Sequence, residues 1–141
     1  MKHLPESSDN QPTPVIVHES DCALEQWDDP IRGKVQWRTL ISADRSASKN
    51  LTCGIAELPV GGPDTVSLHK HLPVEIYYIV EGSGVLTVND QTFEVRAGST
   101  AYIPENASHG LVNTGLVPLR LFYVFPVDSF DQVEYVFGNQ S

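Results

Sequence analysis

Short stretches in which apolar and polar side chains alternate run through most of the chain after Lys34. Successive side chains of a β-strand point to opposite faces, so this alternation predicts strands with one buried face. Ten glycines and ten prolines interrupt these stretches, which favours many short elements over a few long helices. Together the two features predict an all-β fold, an antiparallel sandwich or barrel. The predicted strands are 34–41, 51–58, 65–71, 75–81, 85–88, 92–95, 98–103, 110–113, 119–125 and 132–137.

The length of the chain predicts one domain. A fold of 141 residues buries enough surface to form a core without disulfide bonds. We place this domain over 15–141 and a flexible N-terminal arm over 1–14, a polar stretch with three prolines. Only 20–29 has a pattern that allows a helical turn or two.

Charge and composition exclude several classes of function. The net charge of −9 repels phosphate groups, so we expect neither a nucleic-acid partner nor an anionic membrane. The apolar runs are too short to span a bilayer, and the first residues lack the apolar segment of a secretory signal. We therefore expect a cytoplasmic protein, in which Cys22 and Cys53 are reduced thiols.

A group of potential metal ligands stands out against this background: His69, His71, Glu75 and His109. Two histidines separated by one residue project from the same face of a strand, roughly 7 Å apart. The turn at Pro73 allows Glu75 to fold back toward the same interior. Imidazole and carboxylate groups are good ligands for divalent transition metals. The pattern predicts one such ion (Fe, Mn, Ni, Zn, Co or Cu), with one or two coordination positions left for a ligand.

A histidine pair of this kind also occurs by chance on exposed strands, so the prediction of a metal site depends largely on the neighbouring residues. The first block has the form G-x6-H-x-H-x3-E-x6-G and comprises Gly62, His69, His71, Glu75 and Gly82. The second block comprises Gly98, Pro104, Asn106, His109 and Asn113.

These two blocks resemble the two motifs of the cupin superfamily. The first has one extra residue before its first histidine, and the second has Asn106 where the family prefers glycine. Asparagine tolerates a left-handed backbone better than most residues, so this departure is mild. The resemblance implies a jelly-roll β-barrel, with a motif core over about 54–126, that holds a metal through the four ligands named above.

Tyr77 lies two residues after Glu75 and is expected on the same interior face. A nearby divalent cation lowers the pKa of a phenol, which would allow Tyr77 to act as a general base. The alternative is that Tyr77 fills the barrel and its hydroxyl is hydrogen-bonded. Tyr78, with the opposite parity, is expected to face away.

A narrower resemblance concerns the small cupin dimethylsulfoniopropionate lyases, which cleave a sulfonium zwitterion to dimethyl sulfide and acrylate. The segments that carry it are 37–41, Glu75-Ile76-Tyr77 and the tail over 125–135. It implies that Tyr77 is the catalytic base and that Tyr135 lies at the substrate pocket. Tyr102 is also expected to line the pocket, where it would contact the substrate cation together with Tyr77 and Tyr135.

The sequence therefore favours a metal-dependent lyase that acts on a small carboxylate. Two alternatives remain open, an iron-dependent oxygenase and a non-catalytic cupin that binds a small ligand. The apolar first strands and the C-terminal tail are expected to form the edge of a homodimer.

Overall fold

The computed structural model describes residues 13–61 and 66–138. Within them the chain is built almost entirely of antiparallel strands, which confirms the all-β prediction. Among these residues, no helix is both long and apolar enough to cross a membrane. The predicted arm over 1–14 lies, except for its last two residues, outside the described part of the chain. The strands are β1 (Leu24–Asp29), β2 (Gly33–Ile41), β3 (Thr52–Leu58), β4 (Val66–Lys70), β5 (Glu75–Glu81), β6 (Ser83–Val88), β7 (Gln91–Arg96), β8 (Thr100–Ile103), β9 (His109–Asn113), β10 (Leu119–Phe125) and β11 (Val136–Phe137).

Hydrogen bonds join the strands in one path, in the order β7-β6-β9-β4-β2-β3-β10-β5-β8. Two strands lie off this path, because β1 pairs with β2 and β11 pairs with β4. In the described ranges β7 and β8 end the path without pairing to each other, so the barrel is not closed by a continuous ladder.

The inner face of the sheet follows the alternation of the sequence. Strand β10 alternates strictly between buried and half-buried residues, and β3 does the same. Leu58, Leu119 and Phe125 are completely buried in this face. Burying a side chain of this size contributes about 1.5–3 kcal/mol, so the inner face is the main source of stability.

The hairpin between β6 and β7 shows how turn residues set the register. Val88 is paired with Gln91, which leaves Asn89 and Asp90 as a two-residue loop. Both loop residues have positive φ, 48° and 69°, as the tight hairpin turn requires. Asparagine and aspartate accept this backbone more readily than most residues.

Two of the predicted elements differ in extent. The segment 20–29, whose pattern allows a helical turn or two, overlaps one 3-10 turn at Glu19–Asp21, and most of it, Leu24–Asp29, forms β1. Strand β1 pairs with β2 along its whole length, and these ladder hydrogen bonds outweigh the weak local helical preference. The strand predicted over 132–137 is reduced to β11, because a 3-10 turn occupies Phe130–Gln132.

Candidate metal centre

The three histidines of the predicted cluster are brought together by two neighbouring strands. His69 lies in β4, His71 directly follows β4, and His109 is the first residue of β9. His69 and His109 are paired across the ladder between the two strands. All three are buried, with exposed fractions of 3%, 2% and 0%. The fold therefore joins the two sequence motifs at one buried point.

Each histidine ring is oriented by a backbone carbonyl two residues away. The Nδ1 atom of His69 lies 2.7 Å from the Ser67 carbonyl oxygen. The same atom of His71 lies 2.9 Å from the oxygen of Pro73, and that of His109 lies 2.8 Å from the oxygen of Ala107. A carbonyl oxygen only accepts hydrogen bonds, so each Nδ1 is the protonated nitrogen. The Nε2 atoms then carry the lone pairs, as in metal-binding histidines.

Glu75 places a carboxylate oxygen beside these lone pairs. Its Oε1 lies 3.1 Å from His71 Nε2 and 3.4 Å from His109 Nε2. The exposed fraction of Glu75 is 3%. A lone pair and a carboxylate oxygen at this separation repel each other unless a proton or a cation lies between them. The arrangement therefore favours a positive charge at the centre of the cluster.

The donor set fits a divalent transition metal. One ligand atom from each histidine lies within 4.8 Å of the others. His109 Nε2 is buried and makes no hydrogen bond within 13–61 and 66–138, although buried polar atoms rarely lack a partner. Burial, followed by the charge of the neighbouring His109, lowers the pKa of His69 well below its usual value, which keeps this ring neutral. A neutral imidazole is the form that binds metal.

The loop between β8 and β9 is fastened to the end of β4. The N–H of Asn106 donates to the carbonyl oxygen of His71 at 2.8 Å. Asn106 has a left-handed backbone, with φ 57°, as expected for a residue at the family's glycine position. The side chain of Asn113 donates to the carbonyl oxygens of Leu58 and Val117. Asn106 and Asn113 hold the loops in place, whereas His109 is the candidate metal ligand of the second motif.

A cavity of about 50 Å³ lies beside the cluster. His69 and Glu75 form part of its wall, which connects it to the metal centre. The remainder of the wall is mostly apolar and aromatic, a lining typical of small-molecule sites. The other lining residues are Trp27, Val35, Trp37, Ala56, Leu58, Tyr77, Leu121, Tyr123, Phe125, Phe130 and Tyr135.

Tyr77 and Tyr135 both lie in this wall. Tyr77 is 6% exposed and its neighbour Tyr78 is 45% exposed, so the predicted opposite orientations are confirmed. The ring of Tyr135 is 5.0 Å from the ring of His69 and 5.1 Å from that of His71. Burial and the charge of Glu75 raise the pKa of both tyrosines well above the usual range.

Tyr102 does not reach the cavity. It is 62% exposed and lies in β8 beside Ile103, which is completely buried. Ile103 is paired with Glu75 on β5, and Tyr102 is paired with Ile76. The alternation of β8 therefore turns Tyr102 outward, and its expected place in the substrate wall was wrong.

Sequence reasoning assigned no site role to Trp27, Trp37, Phe130 or Tyr123, although all four line the cavity. The parity of β2 could have indicated Trp37, since Val35, Trp37 and Thr39 are buried on one face. Trp27 lies in β1, a segment that was not among the predicted strands, so its alternation was not used.

A family model described as Cupin domain matches residues 54–125. The chain belongs to the cupin family. The cupin jelly-roll fold expected from the two motifs is thereby confirmed, and the histidines and Glu75 lie within the matched segment.

Two relatives and one crystal structure show what this cupin is similar to. The dimethylsulfoniopropionate lyase DddW of Ruegeria pomeroyi is 39% identical over 124 residues, which are 88% of this chain and 80% of the relative. An oxalate-binding protein of Thermotoga maritima is 33% identical over 94 residues, which are 66% of this cupin and 76% of that protein. The crystal structure of a Thermotoga maritima protein described as a predicted oxalate decarboxylase aligns with TM-score 0.70 and 28% identity, over 80% of this chain and 99% of that one.

Proposed function

We propose that this cupin is a metal-dependent carbon–sulfur lyase that releases dimethyl sulfide from dimethylsulfoniopropionate. The observation that carries the proposal is the position of Tyr77 in the same cavity wall as His69 and Glu75. The 39% identity to a dimethylsulfoniopropionate lyase over most of the chain supports the choice of substrate. A homodimer and a cytoplasmic location remain predictions from the sequence.

The residues around the cavity offer a group for each end of this substrate. The histidines and Glu75 would hold the metal, and Lewis acidity toward the substrate carboxylate is the chemistry that such an ion supplies when bound. The other end of the substrate carries a positively charged sulfonium group, which is attracted to the faces of aromatic rings. The rings of Trp27, Trp37 and Tyr135 offer such faces in the cavity wall.

Tyr77 is proposed as the proton acceptor. The electron pair of the C–H bond next to the carboxylate forms the new C=C bond, and the C–S bond breaks with its pair on sulfur. Dimethyl sulfide then leaves as a neutral thioether, acrylate remains, and the proton is on the Tyr77 oxygen. In the fold without an ion, burial and Glu75 raise the pKa of Tyr77, so the phenol keeps its proton. The role therefore depends on positive charge at the cluster, which has the opposite effect on a phenol.

The first experiment measures dimethyl sulfide in the headspace over protein loaded in turn with Fe, Mn, Ni, Co, Cu or Zn. We expect release with at least one ion and none with the chelator-treated protein. Absence of product with every ion would overturn the lyase proposal. Oxygen uptake is recorded in parallel, since an elimination consumes no O₂ and the oxygenase alternative does.

The role of Tyr77 is tested with Tyr77→Phe, and Tyr78→Phe is the matched control on the outer face of the same strand. We expect Tyr77→Phe to lose at least about a hundredfold in turnover while its metal content is unchanged, as for removal of a general base. The control should retain its turnover. Full turnover in Tyr77→Phe would leave the tyrosine as a packing residue.

A second candidate is a non-catalytic protein that binds a small carboxylate. It is favoured by the 33% identity to a protein named for oxalate binding. Ligand that binds only the folded state raises Tm. A rise in Tm with oxalate, together with no turnover of the sulfonium substrate, would favour this candidate over the lyase.

A further inference from the structure

The cavity beside the metal centre is too small for an organic ligand. Its volume is about 50 Å³, whereas a cavity of roughly 150 Å³ is known to hold benzene. The space therefore accepts a few water molecules, but not a molecule as large as the proposed substrate. Because protein interiors are close-packed, such a ligand enters only if part of the wall moves.

One side of the wall is formed by the C-terminal strap, which we define as residues 129–138. Tyr135 of the strap lines the cavity. The centroid of its ring lies 5.0 Å from that of His69 and 5.1 Å from that of Trp27. The ring of Phe137 is packed in the same way, 5.5 Å from His69 and 5.4 Å from Trp27. The strap therefore places two aromatic rings against both the metal centre and strand β1.

The far end of the strap is attached over a short length. Strand β11 has two residues, which pair with Lys70 and His69 of β4. Beyond them, the N–H of Gly138 donates to the carbonyl oxygen of Leu68 at 3.0 Å. Strand β1, the other strand off the main path, has six residues and pairs with β2 over its whole length. Segments with few ladder contacts open most readily while the core stays folded.

The near end of the strap follows two firmly fastened residues, Val127 and Asp128. The carbonyl oxygen of Val127 accepts a hydrogen bond from the hydroxyl of Thr52 at 2.8 Å, and Thr52 is completely buried. The carbonyl oxygen of Asp128 accepts from the N–H of Ala43 at 2.7 Å. The Oδ1 atom of Asp128 accepts from the N–H of Asn50 at 2.6 Å. A segment that is fastened at one end and weakly attached at the other can swing about the fastened end.

We propose that the strap is a lid over the metal centre, which opens by separation of β11 from β4 and turns about Val127 and Asp128. Opening removes Tyr135 and Phe137 from the histidine rings and connects the cavity to solvent. Closing returns both rings and excludes water, as the lids of enzymes do. Burial of Val133 and Phe137, each 7% exposed, favours the closed state. The size of the ligand rests on the proposed function, whereas the attachment of the strap does not.

Amide hydrogen exchange, followed by NMR on the zinc-loaded full chain, tests the opening. Two strap amides serve as probes, the N–H of Val133, which donates to the Phe130 carbonyl oxygen at 2.9 Å, and the N–H of Gly138. We expect similar protection for both, at least about a hundredfold below that of the β10 amides, because the strap opens as a unit. Protection of Val133 equal to that of β10 would overturn the lid, since faster exchange of Gly138 alone is fraying of the chain end.

A cross-link between the strap and β4 tests the passage to the metal centre. Lys70 and Val136 are paired across the ladder, and both are half-buried, whereas their neighbours His69 and Phe137 are buried on the inner face. Paired residues of antiparallel strands are close enough for a disulfide. The variant combines Lys70→Cys with Val136→Cys and is loaded with zinc before oxidation. We expect a chelator to remove zinc at least about tenfold more slowly from the oxidised form than from the reduced form.

Two controls isolate the effect of the link. The variant with Lys70→Cys alone lacks the second thiol and should lose zinc at the same rate under both conditions. Elemental analysis should give one zinc ion per chain in both forms of the double variant, which excludes binding by the introduced thiols. Equal rates of zinc loss from the two forms would overturn the lid. If the link does not form, the exchange of Val133 decides.

The lid and the reaction are tested separately. Slower zinc loss from the linked form, without dimethyl sulfide release by the wild type, would retain the lid and reject the lyase. Dimethyl sulfide release by the wild type, with equal zinc loss from the two forms, would retain the lyase and reject the lid.

Discussion

His69 and His109 are paired across the ladder between β4 and β9, and their ring centroids are 4.1 Å apart. One belongs to the first motif and the other to the second, so this pair is where the two sequence blocks meet. Both rings donate through Nδ1 to the carbonyl oxygen two residues earlier in the chain. The same local geometry, repeated on neighbouring strands, turns both Nε2 atoms toward one point.

Replacement of His109 should remove metal binding. We expect His109→Ala to lose more than about a hundredfold in metal affinity, since even a lost supporting contact to a ligand typically costs 10- to 100-fold. Equilibrium dialysis followed by elemental analysis measures this loss. The control is His18→Ala, because His18 lies outside the strands and is exposed. Equal metal content in His109→Ala and the wild type would contradict the assignment.

Asn106 should be sensitive to alanine but not to glycine. Its φ of 57° is costly for a residue with an ordinary Cβ and easy for glycine. We expect Asn106→Ala to lower the free energy of unfolding by about 1 kcal/mol and Asn106→Gly to leave it nearly unchanged. Urea unfolding of the metal-free protein measures both. Similar losses in the two variants would indicate that the asparagine side chain, and not the backbone, matters.

A side chain at Gly54 should be poorly tolerated. The added methyl group of Gly54→Ala would collide with the Tyr123 ring and with the carbonyl oxygen of Arg38. We expect a loss of about 1–3 kcal/mol in the free energy of unfolding, the usual cost of overpacking. Cys53→Ala is the neighbouring control, since Cys53 is only half-buried. A Gly54→Ala variant as stable as the wild type would show that the Tyr123 ring and the Arg38 backbone accommodate a methyl group at this position.

The stability of the metal-free protein should decrease in acid. Burial lowers the pKa of His69 in the folded state, whereas the same group in the unfolded chain titrates near about 6.5. Below that pH, His69 binds a proton in the unfolded chain but stays neutral in the folded protein. The stability contributed by neutral His69 is thus present above about pH 6.5 and is lost as the pH falls.

Urea unfolding at a series of pH values between 8 and 5, with chelator present, measures this effect. The slope from one such proton is at most about 1.4 kcal/mol per pH unit. His69→Gln should show a smaller slope than the wild type. Identical slopes would mean that His69 takes up its proton equally well in both states.

Local sequence pattern was sufficient for most strands and for the three histidines that the fold brings together. Strands β5 and β10 have the predicted bounds, 75–81 and 119–125. His69, His71 and Glu75 lie close together in sequence, so strand geometry and one turn nearly fix their relation. His109 was assigned from its motif, and the ladder between β4 and β9 provides the physical reason.

The cavity wall depended on contacts that local pattern does not contain. Alternation tells which residues share a face, but it does not tell which face is inside, so the outward position of Tyr102 on β8 is decided by the fold. Trp27 became a wall residue only because β1 pairs with β2.

What the sequence by itself determined is the all-β class and the two cupin motifs, with the candidate ligands that these motifs contain, since the motifs follow from spacing along one chain. What only the tertiary structure decided is which residues surround the candidate ligands. The Tyr123 ring occupies the space above Gly54 because three strands place Thr39, Gly54 and Tyr123 in one row across the sheet. Such a row depends on the register between distant strands, and register is fixed by the packing of the whole inner face.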